Sequence, residues 1–237
     1  MASPIGGEHW LTRRLEQQHG LIHTGLWTVV KPVRHFVRRM MAYDVPEKGA
    51  LYGVWSIQSL WAPLFPTELE DTIGFSTSLP QGEAILISPE LMPPPIGYEA
   101  FQEHIETAVL PFLRSVDSLE RFYRVAARQA NPVTPHSNFC LELAMGNFDG
   151  ASKLMARQRN DWFQKQDDYF DEDEFEQIRQ LCHLLDDANY GAIARTLHEW
   201  EALTAEHSNL EKIWEPSPFP FEPGYDDWLR RSRGKPG

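Results

Sequence analysis

Cysteine is nearly absent. Cys140 and Cys182 are the only two among 237 residues, too few for a disulfide framework, and no Cys-x-x-Cys pair exists for zinc or redox chemistry. Both stand in apolar, helix-like surroundings, which reads them as small buried hydrophobes kept reduced. Long apolar runs are missing too. No stretch approaches the ~18 residues a membrane helix needs. The start, MASPIGGEHWLTRRLEQQHG, has no apolar segment of signal-peptide length. The expected location is the cytoplasm, with no membrane partner.

Catalytic signatures are equally scarce. Gly6-Gly7 and the Gly146–Gly150 pair match neither a P-loop nor a dinucleotide fingerprint, and no Gly-x-Ser-x-Gly elbow occurs. Nine histidines invite a metal search. His19 and His23 are separated by Gly20 and followed by no ligand at a useful spacing. His104-Ile-Glu106 is half of a zinc-deaminase signature whose cysteine half is missing. His198-Glu199 lacks the second histidine of a metalloprotease helix. Cys182 and His183 are helix neighbours about 100° apart, so they cannot face each other as a dyad. The expectation is no metal, no cofactor and no enzymatic activity.

What is present is an ordinary globular composition with a marked charge asymmetry. Hydrophobic residues make up 42% and aromatic residues 12%, enough to bury a core; the net charge is −12. Residues 1–91 carry 7 Lys and Arg against 9 Asp and Glu, whereas 92–237 carry 15 against 25. That field repels nucleic acid and anionic lipid and suits a basic protein partner.

The pattern along the chain predicts an α+β fold: an antiparallel β-meander with a packed N-terminal helix, then an all-α region of αα-hairpins. Residues 9–19 have helical spacing, with Gly20 as the stop. Residues 33–42 alternate, with Arg34, Arg38 and Met40 on the face of Phe36, and Val33, Val37 and Met41 on the other. After a turn at 46–49, residues 51–61 form the strongest strand, with Trp55 and Ile57 expected in the core. Residues 73–79 alternate strictly, and 84–87 suit a further short strand. Three prolines at 93–95 then punctuate the chain. Beyond them Phe101, Ile105, Ala108 and Phe112 share one helix face, with Pro111 kinking or ending it. Asp117-Ser-Leu-Glu120 has capping-box spacing.

A weak repeat follows. CLELAMGNF at 140–148 and CHLLDDANY at 182–190 align at an offset of 42, each placing an Asn-aromatic pair where one helix stops and the next starts. The last segment, WEPSPFPFEP at 214–223, is too rich in proline for a regular element and is expected to run extended through Trp228, its aromatics tucked into grooves; 230–237 reads as a frayed tail. The expected regions are therefore 1–91 (meander), 98–213 (helical) and 214–237 (proline-aromatic tail).

The densest feature is QDDYFDEDEFE at 166–176, with seven acids and no base. It lacks the glycine and terminal glutamate of a calcium loop. Some of its acids can cap the following helix. The surplus marks Asp167, Asp168, Asp171, Glu172, Asp173, Glu174 and Glu176, with Asp186 and Asp187, as a docking surface for a basic protein.

The element order, Val54-Trp-Ser-Ile-Gln58-Ser, the strand at 73–79, and Leu110-Pro-Phe-Leu113 followed by Val116-Asp-Ser-Leu119-Glu together resemble a bacterial domain-of-unknown-function family over about residues 8–128. Some members lie beside polymorphic toxins and look like immunity proteins. The chain departs from that pattern at Lys31-Pro32 and in its longer acidic C-terminal part. The resemblance implies a cytoplasmic immunity-type inhibitor of a basic toxin domain. An adaptor in another complex is the second expectation, and an enzyme whose residues meet only in space is the third.

Overall fold

The computed structural model describes residues 3–4, 9–45, 50–61, 96–126, 135–164 and 172–233. The strands expected at 73–79 and 84–87, the turn at 46–49 and the prolines at 93–95 lie outside these residues. The fold is α+β. Two compact units are present, one drawn from Met1–Ser59, Ile73–Phe122 and Ala205–Glu215, the other from Leu60–Thr72, Tyr123–Thr204 and Pro216–Gly237.

The first unit is built on an antiparallel sheet. Strands β2 (Ile22–Thr24), β3 (Trp27–Val30), β4 (Phe36–Val45), β5 (Ala50–Ser59) and β6 (Ile96–Gly97) lie side by side in that order, and β1 (Ser3–Pro4) pairs with β4. The first four run as an antiparallel meander, in which β4 and β5 answer two of the expected strands, while β2 and β3 are not among them. The β2–β3 hairpin turns at Gly25, whose φ of 56° suits a residue without a Cβ. The β4 strand is shifted from the expected 33–42 to 36–45. Val33 instead makes an isolated parallel bridge with Trp214, whose indole donates to Arg34 O at 3.1 Å.

Pairing of Arg38 with Ile57 and of Met40 with Trp55 sets one face of the sheet, and pairing of Arg39 with Ser56 and of Val37 with Gln58 sets the other. Helix α1 (Trp10–His19) ends as expected at Gly20, in the left-handed conformation with φ 64°. It is tied by His19 to Glu106, 3.4 Å apart, and by Arg114 to His19 O at 2.9 Å. Helix α2 (Tyr98–His104) sets Phe101 above Gly53, where a Cβ would stand 2.8 Å from the ring. Ile57 is fully buried; Trp55, expected beside it in the core, is half-buried. Phe101 fills the space over Gly53, and Trp55 leans against the His104 ring 5.7 Å away.

Between α2 and α3 (Leu110–Ser115) the helix widens into a π-turn at Ile105–Val109, where the Leu110 N–H reaches Ile105 O. Pro111 has no N–H to continue the ladder, and the extra residue absorbs that gap. The buried stripe therefore runs Phe101, Ile105, Val109, Leu113, instead of through Ala108 and Phe112. Helix α4 (Leu119–Ala126) is capped by Ser118, whose hydroxyl accepts from the Arg121 N–H at 3.3 Å. Asp117, the expected cap, pairs with the Arg121 side chain. Phe122 stacks on Phe36 at 4.9 Å.

Arg38 is buried on this helix-covered face. Its guanidinium donates to Leu113 O and Val116 O at the end of α3 and to Val30 O and Pro32 O on the sheet side. Two carbonyls at a helix C-terminus and two on the sheet side offset its charge, although burial still pulls its pKa down to about 10.

The second unit contains α5 (Pro135–Ala144), α6 (Phe148–Gln164), α7 (Glu172–Asp186) and most of α8 (Tyr190–His207), as two αα-hairpins, followed by α9 (Tyr225–Arg233). The last helix overturns the expected extended course beyond 223. Past Pro223 no proline interrupts the ladder before Arg233, and Asp226 and Asp227 oppose the dipole in the first turn.

Candidate functional site

The two elbows of the repeat superimpose bond for bond. In the first, Gly146 N–H donates to Leu143 O and Asn147 N–H to Glu142 O; in the second, Ala188 N–H donates to Leu185 O and Asn189 N–H to Leu184 O. This paired closure uses a left-handed residue after the helix, here Gly146 (φ 72°) and Ala188 (φ 50°). The asparagines then cap the next helix: Asn147 Oδ1 accepts from Gly150 N–H and Asn189 Oδ1 from Ala192 N–H, both at 3.2 Å. In the first elbow Glu142 is also gripped by Tyr123 Oη at 2.8 Å and Asn147 Nδ2 at 2.6 Å. That bond to a carboxylate, with some burial, pushes the Tyr123 phenol pKa up.

The aromatics that follow the asparagines do not tuck into their own elbows. Phe148 and Tyr190 stack on each other, centroids 3.9 Å apart at 13°, with Phe221 edge-on to Phe148 at 5.2 Å. The elbows therefore meet. Tyr190 remains 42% exposed, so one large aromatic is presented to solvent on a rigid support. Asp149, Asp186 and Asp187 lie at the same helix ends and are exposed. Asp186 faces Arg159 at 3.9 Å, whereas no ion pair is formed by Asp149 or Asp187 among the described residues.

The acid run is placed differently. Asp167, Asp168 and Asp171 lie outside the described residues. Glu172, Asp173 and Glu174 open α7, and Glu176 is exposed and pairs with Arg179 at 3.2 Å. The fifteen residues of α7 span about 22 Å, so Glu172–Glu176 and Asp186–Asp187 stand at opposite ends of one helix. The exposed side chains of Gln180 and His183 lie between them. The structure brings Asp186 and Asp187 to the elbows and leaves Glu172–Glu176 at the far end of α7.

A second cluster holds the proline-aromatic segment. His198 Nδ1 lies 2.9 Å from Glu201 Oε2 and its Nε2 lies 2.8 Å from Glu222 Oε2. When protonated, the ring donates to a carboxylate from each nitrogen. Burial works against the charge, but the bonds and charges of Glu201 and Glu222 win, and the His198 pKa is raised. Glu222 Oε2 also accepts the Phe219 N–H at 2.7 Å. Phe219 is fully buried, stacked on His198 at 4.6 Å and edge-on to Trp61 at 6.1 Å. Its burial matches the expected tucking of that segment. This cluster was not legible in the sequence, because Glu222 is 24 positions from His198 and joins it only through the path of the prolines.

Cys140 and Cys182 are buried and free, with burial pushing the Cys182 thiol pKa up to about 12, far from thiolate reactivity. Among the described residues no group of three or more His, Cys, Asp or Glu is placed to hold a metal ion, and no helix is long and apolar enough to cross a membrane. No family model, curated protein or solved structure matches the chain.

Proposed function

We propose that the chain is a protein-binding module of the immunity type, which neutralises a basic toxin domain by docking it on the elbow end of the helical unit. One observation carries this reading: an exposed tyrosine, stacked on a second aromatic and held between two capped elbows, has exposed carboxylates beside it. Rigid aromatics make interface anchors, and surrounding charge selects a partner of opposite sign and speeds encounter. Tyr190 supplies the anchor; Asp149, Asp186 and Asp187 supply the charge. The acids at the start of α7 add to the negative charge of the same helix. The resemblance of residues 8–128 to a family some of whose members lie beside polymorphic toxins supports the same reading.

The test uses the full chain and a basic protein recovered with it from its source cell. Association should slow about tenfold between 50 and 300 mM salt, as screening shortens the reach of the charges. Replacing Asp149 and Asp187 together by Lys should slow association, and Tyr190→Ala should speed dissociation. Reversing Asp171, Asp173 and Glu176 measures what the acid run at 166–176 adds. Co-expression should abolish the partner's toxicity, which separates an inhibitor from an adaptor. An association rate indifferent to salt and to the double reversal would remove the elbow from the interface.

A further inference from the structure

Arg39 lies on the sheet face opposite Arg38 and has none of its carbonyl partners. It is 6% exposed, in the middle of β4. Its Nε donates to Ser56 Oγ at 3.4 Å and its Nη2 to Gln58 Oε1 at 2.5 Å, both across the β4–β5 pairing. The Trp27 ring covers one face of the guanidinium, with its centroid 4.0 Å from Cζ. Every one of these contacts is to a neutral group, and no carboxylate pairs with Arg39 among the described residues. A buried ion left without a counter-ion is expensive, and isolated buried arginine is correspondingly rare.

The way the side chain is held is informative. Ser56 and Gln58 take the Nε–Nη2 edge and fix the plane, and Trp27 fixes the tilt. The Nη1–Nη2 end makes no hydrogen bond to a described residue beyond the one to Gln58. That end is a two-pronged donor with the geometry of a planar carboxylate. The nearest positions on this face, Val29, Val37 and Met41, are apolar and buried. Trp27, which covers the guanidinium, is only half-buried.

We propose that Arg39 is the receptor for the carboxylate of a small organic acid with an apolar body, oriented by Ser56, Gln58 and Trp27. A single positive charge in apolar surroundings matches one carboxylate better than the double charge of phosphate. The ligand supplies the counter-ion that the described residues do not.

The probes are the sodium salts of acetate, butyrate, octanoate and benzoate, with inorganic phosphate as contrast and sodium chloride matching the ionic strength. One or more of the organic acids should raise the melting temperature of the full chain by about 2 °C or more at about 10 mM, with saturable heat in calorimetry. Phosphate and chloride should not. Arg39→Met should weaken binding of the same acid at least about tenfold, and Gln58→Leu, which keeps the charge but frees its plane, should weaken it as well. If Arg39→Met failed to fold, Gln58→Leu would decide alone. The proposal is overturned if none of the four acids binds, if phosphate binds as well as they do, or if the variants bind unchanged.

Discussion

Gly146 and Ala188 occupy the same place in two copies of one turn, yet only one has the residue that the turn prefers. A left-handed backbone costs an ordinary L-residue about 1 kcal/mol relative to glycine. Ala188→Gly should therefore stabilise the protein by up to about 1 kcal/mol, read as a higher urea midpoint at unchanged slope. The reverse substitution is worse than its backbone cost, because a Cβ on Gly146 would stand 3.0 Å from the Phe221 Cβ. Gly146→Ala should lower the midpoint by more than Ala188→Gly raises it. Equal and opposite effects would mean that Phe221 does not press on the first elbow. His198 allows a second test at this scale. Its folded pKa is raised by Glu201 and Glu222, so its stabilising contribution is full below the unfolded value of about 6.5 and lost as pH rises through the folded value. The stability lost in His198→Gln should be larger at pH 6 than at pH 9. A difference independent of pH would show that the ring acts by packing on Phe219 alone.

At the scale of elements, the pairing of the two elbows makes a prediction that neither elbow makes by itself. Phe148→Leu and Tyr190→Leu should each destabilise, and the double variant should cost less than their sum by about 1 kcal/mol, the coupling of an offset aromatic stack. Zero coupling would separate the elbows. What was legible at this scale followed from local rules. Helix α1 and its Gly20 stop, the β4 and β5 strands and both elbows are written in periods of 2 and 3.6 and in single capping residues, whereas β2 and β3 are too short to show a period. The π-turn was not, because it answers a hydrogen bond that Pro111 cannot make while the stripe must still face the sheet. The position of Trp55 depended on which residue filled the hollow over Gly53, and that residue, Phe101, lies on a distant helix. The Arg39 cluster needed the register of β4 on β5. A signal was nevertheless present: Arg38-Arg39 inside an alternating apolar strand puts one guanidinium on each face, so a sheet buried on both sides must bury both. Of the sequence-derived site, Asp186 and Asp187 reach the elbow, and the partner aromatics Phe148 and Tyr190 were visible only as repeat markers.

At the scale of the whole molecule, 34 acidic residues face 22 basic ones. The described ion pairs do little to offset this excess. Arg159–Asp186, Arg121–Asp117 and Arg179–Glu176 are exposed pairs, a class worth ~0–1 kcal/mol each and weakened by salt. Self-repulsion at a net charge of −12 acts in the opposite direction and is also screened, over a Debye length that shrinks from about 30 Å at 0.01 M to about 3 Å at 1 M. Long-range repulsion loses more to screening than pairs already within 4 Å of each other. The sign of the salt effect therefore reports which dominates. The melting temperature should rise as sodium chloride is raised from about 0.01 to 0.5 M, by a few degrees, corresponding to about 1 kcal/mol. Chloride salts of different cations should agree, because no bound cation is invoked. Reversing Asp149 and Asp187 to Lys relieves the same repulsion, against the loss of the Asp149 contact with the α6 dipole, so that variant should show a shallower rise. A melting temperature that fell with salt would mean that close pairs hold the molecule together. The exposed acids at the elbows would then be stabilising the fold, and charge held in reserve for a partner would no longer explain them.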